Sequence, residues 1–266
     1  HPLAPFVDRI RAYLSGCPDP ETRATDDDRH LTSIPSPMRW IPAGIAIVVT
    51  VLGAGWHAAT ADLPTSTSTY FAGSGLCQVC HSAGFSGALR TDLGDDISPP
   101  TYWRSTMMAN AARDPYWLAK VSTEVANLPA LRDVIEDKCL TCHAPMARTE
   151  AVRNGASGYS MAEIAGDPLA LDGVSCTLCH QIRPDSLGTD ARFSGAYEIG
   201  ADRFVYGPYD DPAFPQMMQM VSGFGTGGGA HLGTSELCAT CHTLFTPYVD
   251  AEGEIAGQLP EQTPYL

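Results

Sequence analysis

The chain is short of basic charge. Only 16 Lys and Arg stand against 30 Asp and Glu, giving a formal net charge of −14 over 266 residues. Nucleic-acid phosphates are repelled by such a surface, which argues against a nucleic-acid partner. Hydrolytic signatures are missing as well, since no nucleophile–base pair and no paired-carboxylate motif emerges. The acidic pairs Asp95-Asp96 and Asp210-Asp211 read as solvated turns. The glycine-rich stretch 223–233 lacks the Lys-Ser/Thr of a phosphate-binding loop. Cysteine outside one repeated motif is almost absent: eight of the nine fall inside it, leaving Cys17 alone.

That motif is Cys-x-x-Cys-His, and it occurs four times. It reads C-Q-V-C-H from Cys77 and Cys80 to His81, and C-L-T-C-H from Cys139 and Cys142 to His143. It recurs as C-T-L-C-H from Cys176 and Cys179 to His180, and as C-A-T-C-H from Cys238 and Cys241 to His242. The spacing is the attachment signature of c-type haem. Two thiols form thioethers with the vinyl groups, and the adjacent histidine is placed to ligate the iron. A zinc site or a thioredoxin-like pair would also use C-x-x-C. Neither explains a histidine fixed at the next position four times. The expectation is therefore four haem c groups, with His81, His143, His180 and His242 as proximal iron ligands.

Four large flat apolar cofactors in a chain of this length replace much of the side-chain core. The 25 Gly and 21 Pro favour loops wrapped around them over long regular elements. The expected fold is mainly α with long loops, a haem-packed multihaem cytochrome c architecture with little or no β-sheet. The acidic surface suits docking to redox partner proteins through a basic surface on the partner, with association weakening at high salt.

Residues 41–56 contain no charge, follow Met38 and Arg39, and lead into Ala59-Thr60-Ala61. This is the pattern of a secretory signal peptide with an A-x-A cleavage site. A membrane anchor over residues 41–59 is the alternative. Either way the expected location is periplasmic or extracytoplasmic in a bacterium. The expected organisation is a disordered or over-extended stretch over 1–37, a signal or anchor over 38–61, and a tetrahaem domain over 62–266. Residues 62–76 read as a Ser/Thr-rich linker.

Ser98-Pro99-Pro100 starts a predicted helix over 102–113. Asp114-Pro115 supplies an N-cap and an N1 proline for a second helix over 116–127. A third, over 130–139, delivers the second motif near its C-terminal end. Residues 161–164 read as a turn or two of helix, and 172–180 carry the third motif. The alternation over 193–209 predicts a short β-hairpin. The stretch 223–233 reads as a loop whose glycines let backbone pass close to a haem face. The first cysteines of successive motifs are 62, 37 and 62 residues apart, from Cys77 to Cys139, Cys176 and Cys238. The residues between motifs do not match, so this symmetry reads as accidental.

Each iron has a second face, and histidine to fill it is scarce. Outside the motifs the chain has His1, His30, His57 and His231. With the first three in or before the export segment, only His231 remains as a candidate distal ligand. Four bis-histidine haems cannot be built from residues 62–266 alone. Methionine is the next candidate, although it is more often core filler. Met108, beside Trp103 on the predicted 102–113 helix, leads. Met107, Met217, Met218 and Met220 are weaker candidates.

The stretches W-R-S-T-M-M-A-N from Trp103, D-P-Y-W from Asp114, G-V-S-C-T-L-C-H from Gly173 and H-L-G-T-S-E-L-C-A-T-C-H from His231 carry a resemblance. Over residues 70–266 the chain is similar to the multihaem cytochrome c superfamily that includes the tetrahaem electron acceptor of hydroxylamine oxidoreductase. In that superfamily a W-x-x-S-x-H-like helix supplies a distal histidine, and Met108 stands at the matching place. A histidine shortly before a motif, here His231, serves there as distal ligand to another haem. The terminal E-Q-T-P-Y-L resembles a segment that continues in longer relatives. The resemblance implies an electron-transfer protein, a carrier more than a catalyst. The alternative is a multihaem oxidoreductase acting on a small nitrogen or sulfur compound at a haem with an open axial position.

Overall fold

The structure, a computed structural model, describes residues 62–85, 87–250 and 255–262. Of the described residues, those over 62–247 and 258–262 belong to one compact unit, and 248–250 and 255–257 fall in a second. The expectations for 1–37 and for the signal or anchor over 38–61 lie outside the described residues, as do Cys17, His1, His30 and His57. Among the described residues no helix is long and apolar enough to cross a membrane.

The larger unit is mainly helical. Its helices are α1 (Ser74–Gln78), α2 (Pro99–Trp103), α3 (Pro115–Asn127), α4 (Arg132–His143), α5 (Pro145–Arg153), α6 (Met161–Ile164), α7 (Pro168–Leu171), α8 (Cys176–Cys179), α9 (Pro215–Ser222) and α10 (Ser235–His242). Strands β1 (Phe204–Gly207) and β2 (Gly225–Gly228) form one small sheet. A second two-stranded sheet joins β3 (Phe245–Val249) and β4 (Ile255–Pro260).

Proline sets many of these boundaries. It opens α2, α3, α5, α7 and α9, where its missing N–H costs nothing and its fixed φ suits the first turn. Asp114 caps α3 as expected, accepting Tyr116 N at 2.7 Å and Trp117 N at 3.1 Å. Pro145 stops α4. The residue before a proline is pushed out of the helical region, and Ala144 sits at φ −133° and ψ 53°. That stop makes His143 the last residue of its helix. A Ser160–Glu163 capping box starts α6.

The core is built on α3, whose Trp117, Val121 and Val125 recur every fourth residue and face Leu140 of α4 and Ala147 of α5. A second cluster gathers Phe71, Met146, Leu169, Leu178, Ile182 and Ile199. Each large side chain buried this way is worth about 1.5–3 kcal/mol.

Three local expectations are corrected. Residues 62–76 are not a solvated linker: Phe71, Ala72 and Ser74 are fully buried. Glu150 accepts Ser68 Oγ, Thr69 N and Tyr70 N, while Thr177 Oγ1 donates to Ala72 O at 2.8 Å. The apolar Tyr70-Phe71-Ala72 core of the segment outweighs its polar flanks. The 102–113 helix ends at Trp103 instead. Ser105 Oγ and Thr106 Oγ1 donate back to Tyr102 O and Trp103 O, and Asn110 Nδ2 donates to Thr106 O, so side chains compete for the carbonyls a helix needs. The chain resumes as a 3₁₀ turn over Ala111–Arg113.

The 193–209 hairpin also fails to form. β1 pairs in parallel with β2, in the register Phe204↔Gly225 to Gly207↔Gly228, with α9 in the connection. Part of the supposed glycine loop is thus a strand. Its glycines make room for a ring: a Cβ on Gly227 would lie 2.9 Å from Phe204 Cζ.

Candidate functional site

Each Cys-x-x-Cys-His motif sits on a helix or helical turn. Cys77 lies in α1, and the turn continues through Cys80 N and His81 N, both donating to Cys77 O. The second and fourth motifs close the C-terminal ends of α4 and α10. The third forms α8, and His180 N donates to Cys176 O at 3.0 Å. Residues i, i+3 and i+4 of a helical turn share one face, so each motif presents two thiols and an imidazole together. None of the eight motif cysteines is in a disulfide; seven are half-buried, and Cys238 is exposed.

Two motif histidines are oriented by backbone carbonyls. His143 Nδ1 donates to Ala111 O at 3.1 Å, and His180 Nδ1 donates to Tyr206 O at 2.7 Å. A carbonyl oxygen only accepts, so Nδ1 carries a proton in each ring, which in the neutral imidazole leaves the lone pair on Nε2. The His143 ring also stacks flat on Trp117 of α3, with centroids 4.3 Å apart and planes 5° from parallel. Strand β1 holds His180 twice, because Tyr206 N donates to His180 O at 2.7 Å.

Tertiary packing joins the motifs in an order different from their order in sequence. α1 packs against α8, and the Cys77 and Cys176 thiols are close enough to perturb each other, which places motif 1 beside motif 3. Cys142 and Cys241 make the equivalent link between motifs 2 and 4. Cys179 of motif 3 lies in the field of Cys241 and Cys238 of motif 4; burial first, and these neighbours next, push its thiol up to about 12. The spatial order is therefore 1–3–4–2. Each of these two close pairs joins residues 99 apart in sequence, Cys77 with Cys176 and Cys142 with Cys241. Burial lowers both His81 and His143, and each is lowered further by a motif partner, His180 and His242 respectively.

The candidate distal residues fall into different settings. Met107 and Met108 lie in the turns after α2, where they are 69% and 45% exposed. Met108 O accepts Val174 N at 2.9 Å, and Trp103 Nε1 donates to Val174 O at 2.9 Å, so this segment lies against the approach to motif 3. Met217 and Met220 are exposed on α9, whereas Met218 packs against the Ala72, Val205 and Phe224 cluster. His231 lies edge-on to Tyr206, and its Nε2 donates to Ile182 O at 2.8 Å.

A concavity beside motif 2, lined by Arg148, Thr149, Arg153, Gly195 and Tyr197, holds about 170 Å³. Small-molecule pockets run to roughly 300–1,000 Å³. Both guanidiniums here are engaged, Arg148 with Asp137 and Arg153 with Ile199 O and Gly200 O. Among the described residues no three Cys, His, Asp or Glu side chains converge on one point, as a bare metal ion requires. The donor set fits a covalently attached haem better. Two thiols and an imidazole share one face, and in the two anchored histidines the Nδ1 contact leaves Nε2 as the ligating nitrogen. Exposed Val79 inside motif 1 and Phe85 beyond it give apolar surface for such a group to cover.

Several residues at the site carry no motif signal. The Ala111 and Tyr206 carbonyls and the Trp117 stack arise from segments far from the motifs they support. Asp172, which joins motifs 1 and 3, is one acidic residue among 30. No known protein family, curated protein or solved structure matches this chain.

Proposed function

We propose that the chain is an extracytoplasmic tetrahaem c-type cytochrome of the multihaem superfamily, relaying electrons between redox partner proteins. The observation that carries this reading is the fourfold Cys-x-x-Cys-His spacing, each copy on a helix or helical turn, with motifs neighbouring one another in the order 1–3–4–2. Bound haem would supply a one-electron iron couple at each motif. Cys77 and Cys80, Cys139 and Cys142, Cys176 and Cys179, and Cys238 and Cys241 would hold the four groups. His81, His143, His180 and His242 would ligate the irons through Nε2. Ala111 O and Tyr206 O hold two of these rings by Nδ1, which fixes the tautomer and raises ligand basicity. With a formal charge of −14, the surface suits a basic docking partner.

Expression in a bacterial host with c-type maturation machinery tests this. The expected result is haem that survives denaturing electrophoresis, at four per chain by haemochrome assay. Fewer than four, or none that is covalent, sinks the proposal. A second reading, catalysis at an iron with an open axial position, is favoured by one observation. His231 Nε2 is committed to Ile182 O, so the distal ligand shortage extends to the one candidate histidine. Carbon monoxide binding to the reduced protein and cyanide binding to the oxidised protein separate the two. Binding to neither excludes the catalytic reading.

A further inference from the structure

Asp172 follows α7 and stands four residues ahead of Cys176, with only 2% of its surface reaching solvent. Its Oδ2 accepts Ser74 N at 2.9 Å, and its Oδ1 accepts Ser74 Oγ at 2.6 Å. Ser74 is the first residue of α1, which carries Cys77. One buried carboxyl group therefore joins the supports of motifs 1 and 3. The Ser175 hydroxyl lies beside both Asp172 and the Cys176 sulfur, is buried, and makes no well-formed hydrogen bond.

The titratable and charged groups facing Asp172 are the sulfurs of Cys77 from α1 and Cys176 from α8, with Arg113 from the 3₁₀ turn. Arg113 is exposed and gives a guanidinium N–H to Leu171 O. Burial is the largest influence on Asp172 and raises its proton affinity; Ser175, Ser74 and Arg113 oppose it without cancelling it. A buried carboxyl with partly compensated charge responds strongly to a charge change nearby, because little solvent screens the two. The motif 2–motif 4 pair differs. There Arg148 pairs with Asp137, which is held ionised.

We propose that Asp172 is a redox-linked proton site, binding one proton at a carboxylate oxygen when the cofactors of the motif 1–motif 3 pair gain an electron and releasing it when they lose it. This rests on the tetrahaem reading. The electron comes from a one-electron donor protein and the proton from solvent. Only the O–H bond forms or breaks, and the net charge of the site is unchanged by the coupled step. Electron passage at the motif 1 end of the relay is thereby tied to pH, and passage at the motif 2 end is not.

Spectroelectrochemical titration of the holoprotein between about pH 5 and 9 tests this. In the wild type, one part of the titration should fall with rising pH, approaching about 59 mV per unit where Asp172 titrates, since tenfold in a one-electron equilibrium corresponds to 59 mV. Asp172→Asn should flatten that part alone. Ser74→Ala removes a hydrogen bond to the anion but keeps the carboxyl, so it should move the sloping window to higher pH. The reduced-minus-oxidised infrared spectrum should show a protonated carboxyl C=O stretch that is lost in Asp172→Asn. A slope that survives unchanged in Asp172→Asn overturns the proposal. Should that variant not fold, an unmoved window in Ser74→Ala overturns it. A wild type without covalent haem refutes the tetrahaem reading itself, and its absorbance spectrum shows this before any potential is measured.

Discussion

Asp137→Asn should destabilise the protein by about 2 kcal/mol at neutral pH, and the loss should fade in acid. Asp137 lies on α4, six residues before His143. Its carboxylate accepts Arg148 Nε at 3.0 Å, Arg148 Nη2 at 2.8 Å and Tyr159 N at 3.0 Å. It thereby ties the helix of motif 2 to α5 and to the loop before α6. The asparagine amide keeps one acceptor oxygen but turns an NH₂ toward a guanidinium, so one charge-assisted bond becomes donor against donor. Hydrogen bonds to charged groups contribute about 1.5–3 kcal/mol, and unpairing a fully buried ion costs about 3–5 kcal/mol. The two side chains here are 26% and 22% exposed, so solvent screens the pair and the lower range applies. Burial pushes Asp137 up, but the Arg148 hydrogen bonds and charge, with Tyr159 N, outweigh it and hold the carboxyl below its usual 3.8. A depressed folded value means the stabilisation is present above 3.8 and is lost as pH falls through the folded value. Urea unfolding followed by far-UV circular dichroism should therefore show the wild type ahead at pH 7. The gap should narrow once the pH drops below about 4. A gap under about 0.5 kcal/mol at pH 7, or one that persists unchanged in acid, would refute this reasoning.

Three further outcomes follow from the same geometry. Trp117→Leu should cost about 3 kcal/mol in urea unfolding, since it removes both core volume and the His143 stack; Trp117→Phe should recover part of this by keeping a ring on the imidazole. Equal losses in the two variants would show that the stack contributes nothing. Gly173→Ala should cost about 2 kcal/mol or more, because Gly173 has φ +61° and an added Cβ would meet Met108 O at 2.6 Å. Thermal unfolding at wild-type temperature would contradict it. If Met108 ligates an iron, Met108→Ala should abolish a methionine-to-iron charge-transfer band of the oxidised protein. Persistence of the band in Met108→Ala with loss in Met107→Ala would move the assignment by one residue.

Local chemistry was legible in the chain itself. The four motifs could be located by spacing. The start of α3 followed from Asp114 and Pro115, and α6 fell where 161–164 was expected. These signals act within a few residues, so no partner is needed to read them. Where the outcome depended on contacts from afar, local reading went astray. The Tyr70-Phe71-Ala72 stretch reads as part of a Ser/Thr-rich linker, yet Glu150 and Thr177 hold it, and Arg203 holds Ser68 just before it. The supposed 102–113 helix broke at Trp103, where local side-chain hydrogen bonds act together with the distant Val174, which accepts Trp103 Nε1 and donates to Met108 O. Pairing β1 with β2 in parallel required a crossover that periodicity cannot specify.

The sequence by itself determined which residues carry the candidate chemistry, because the Cys-x-x-Cys-His spacing is a property of one helical turn. Only the tertiary structure decided their order, 1–3–4–2, the carbonyls that anchor His143 and His180, and the buried carboxyl between motifs 1 and 3. The reason is range. A turn of helix places residues i, i+3 and i+4 on one face whatever surrounds it, whereas Cys77 meets Cys176 only when the whole intervening chain has packed.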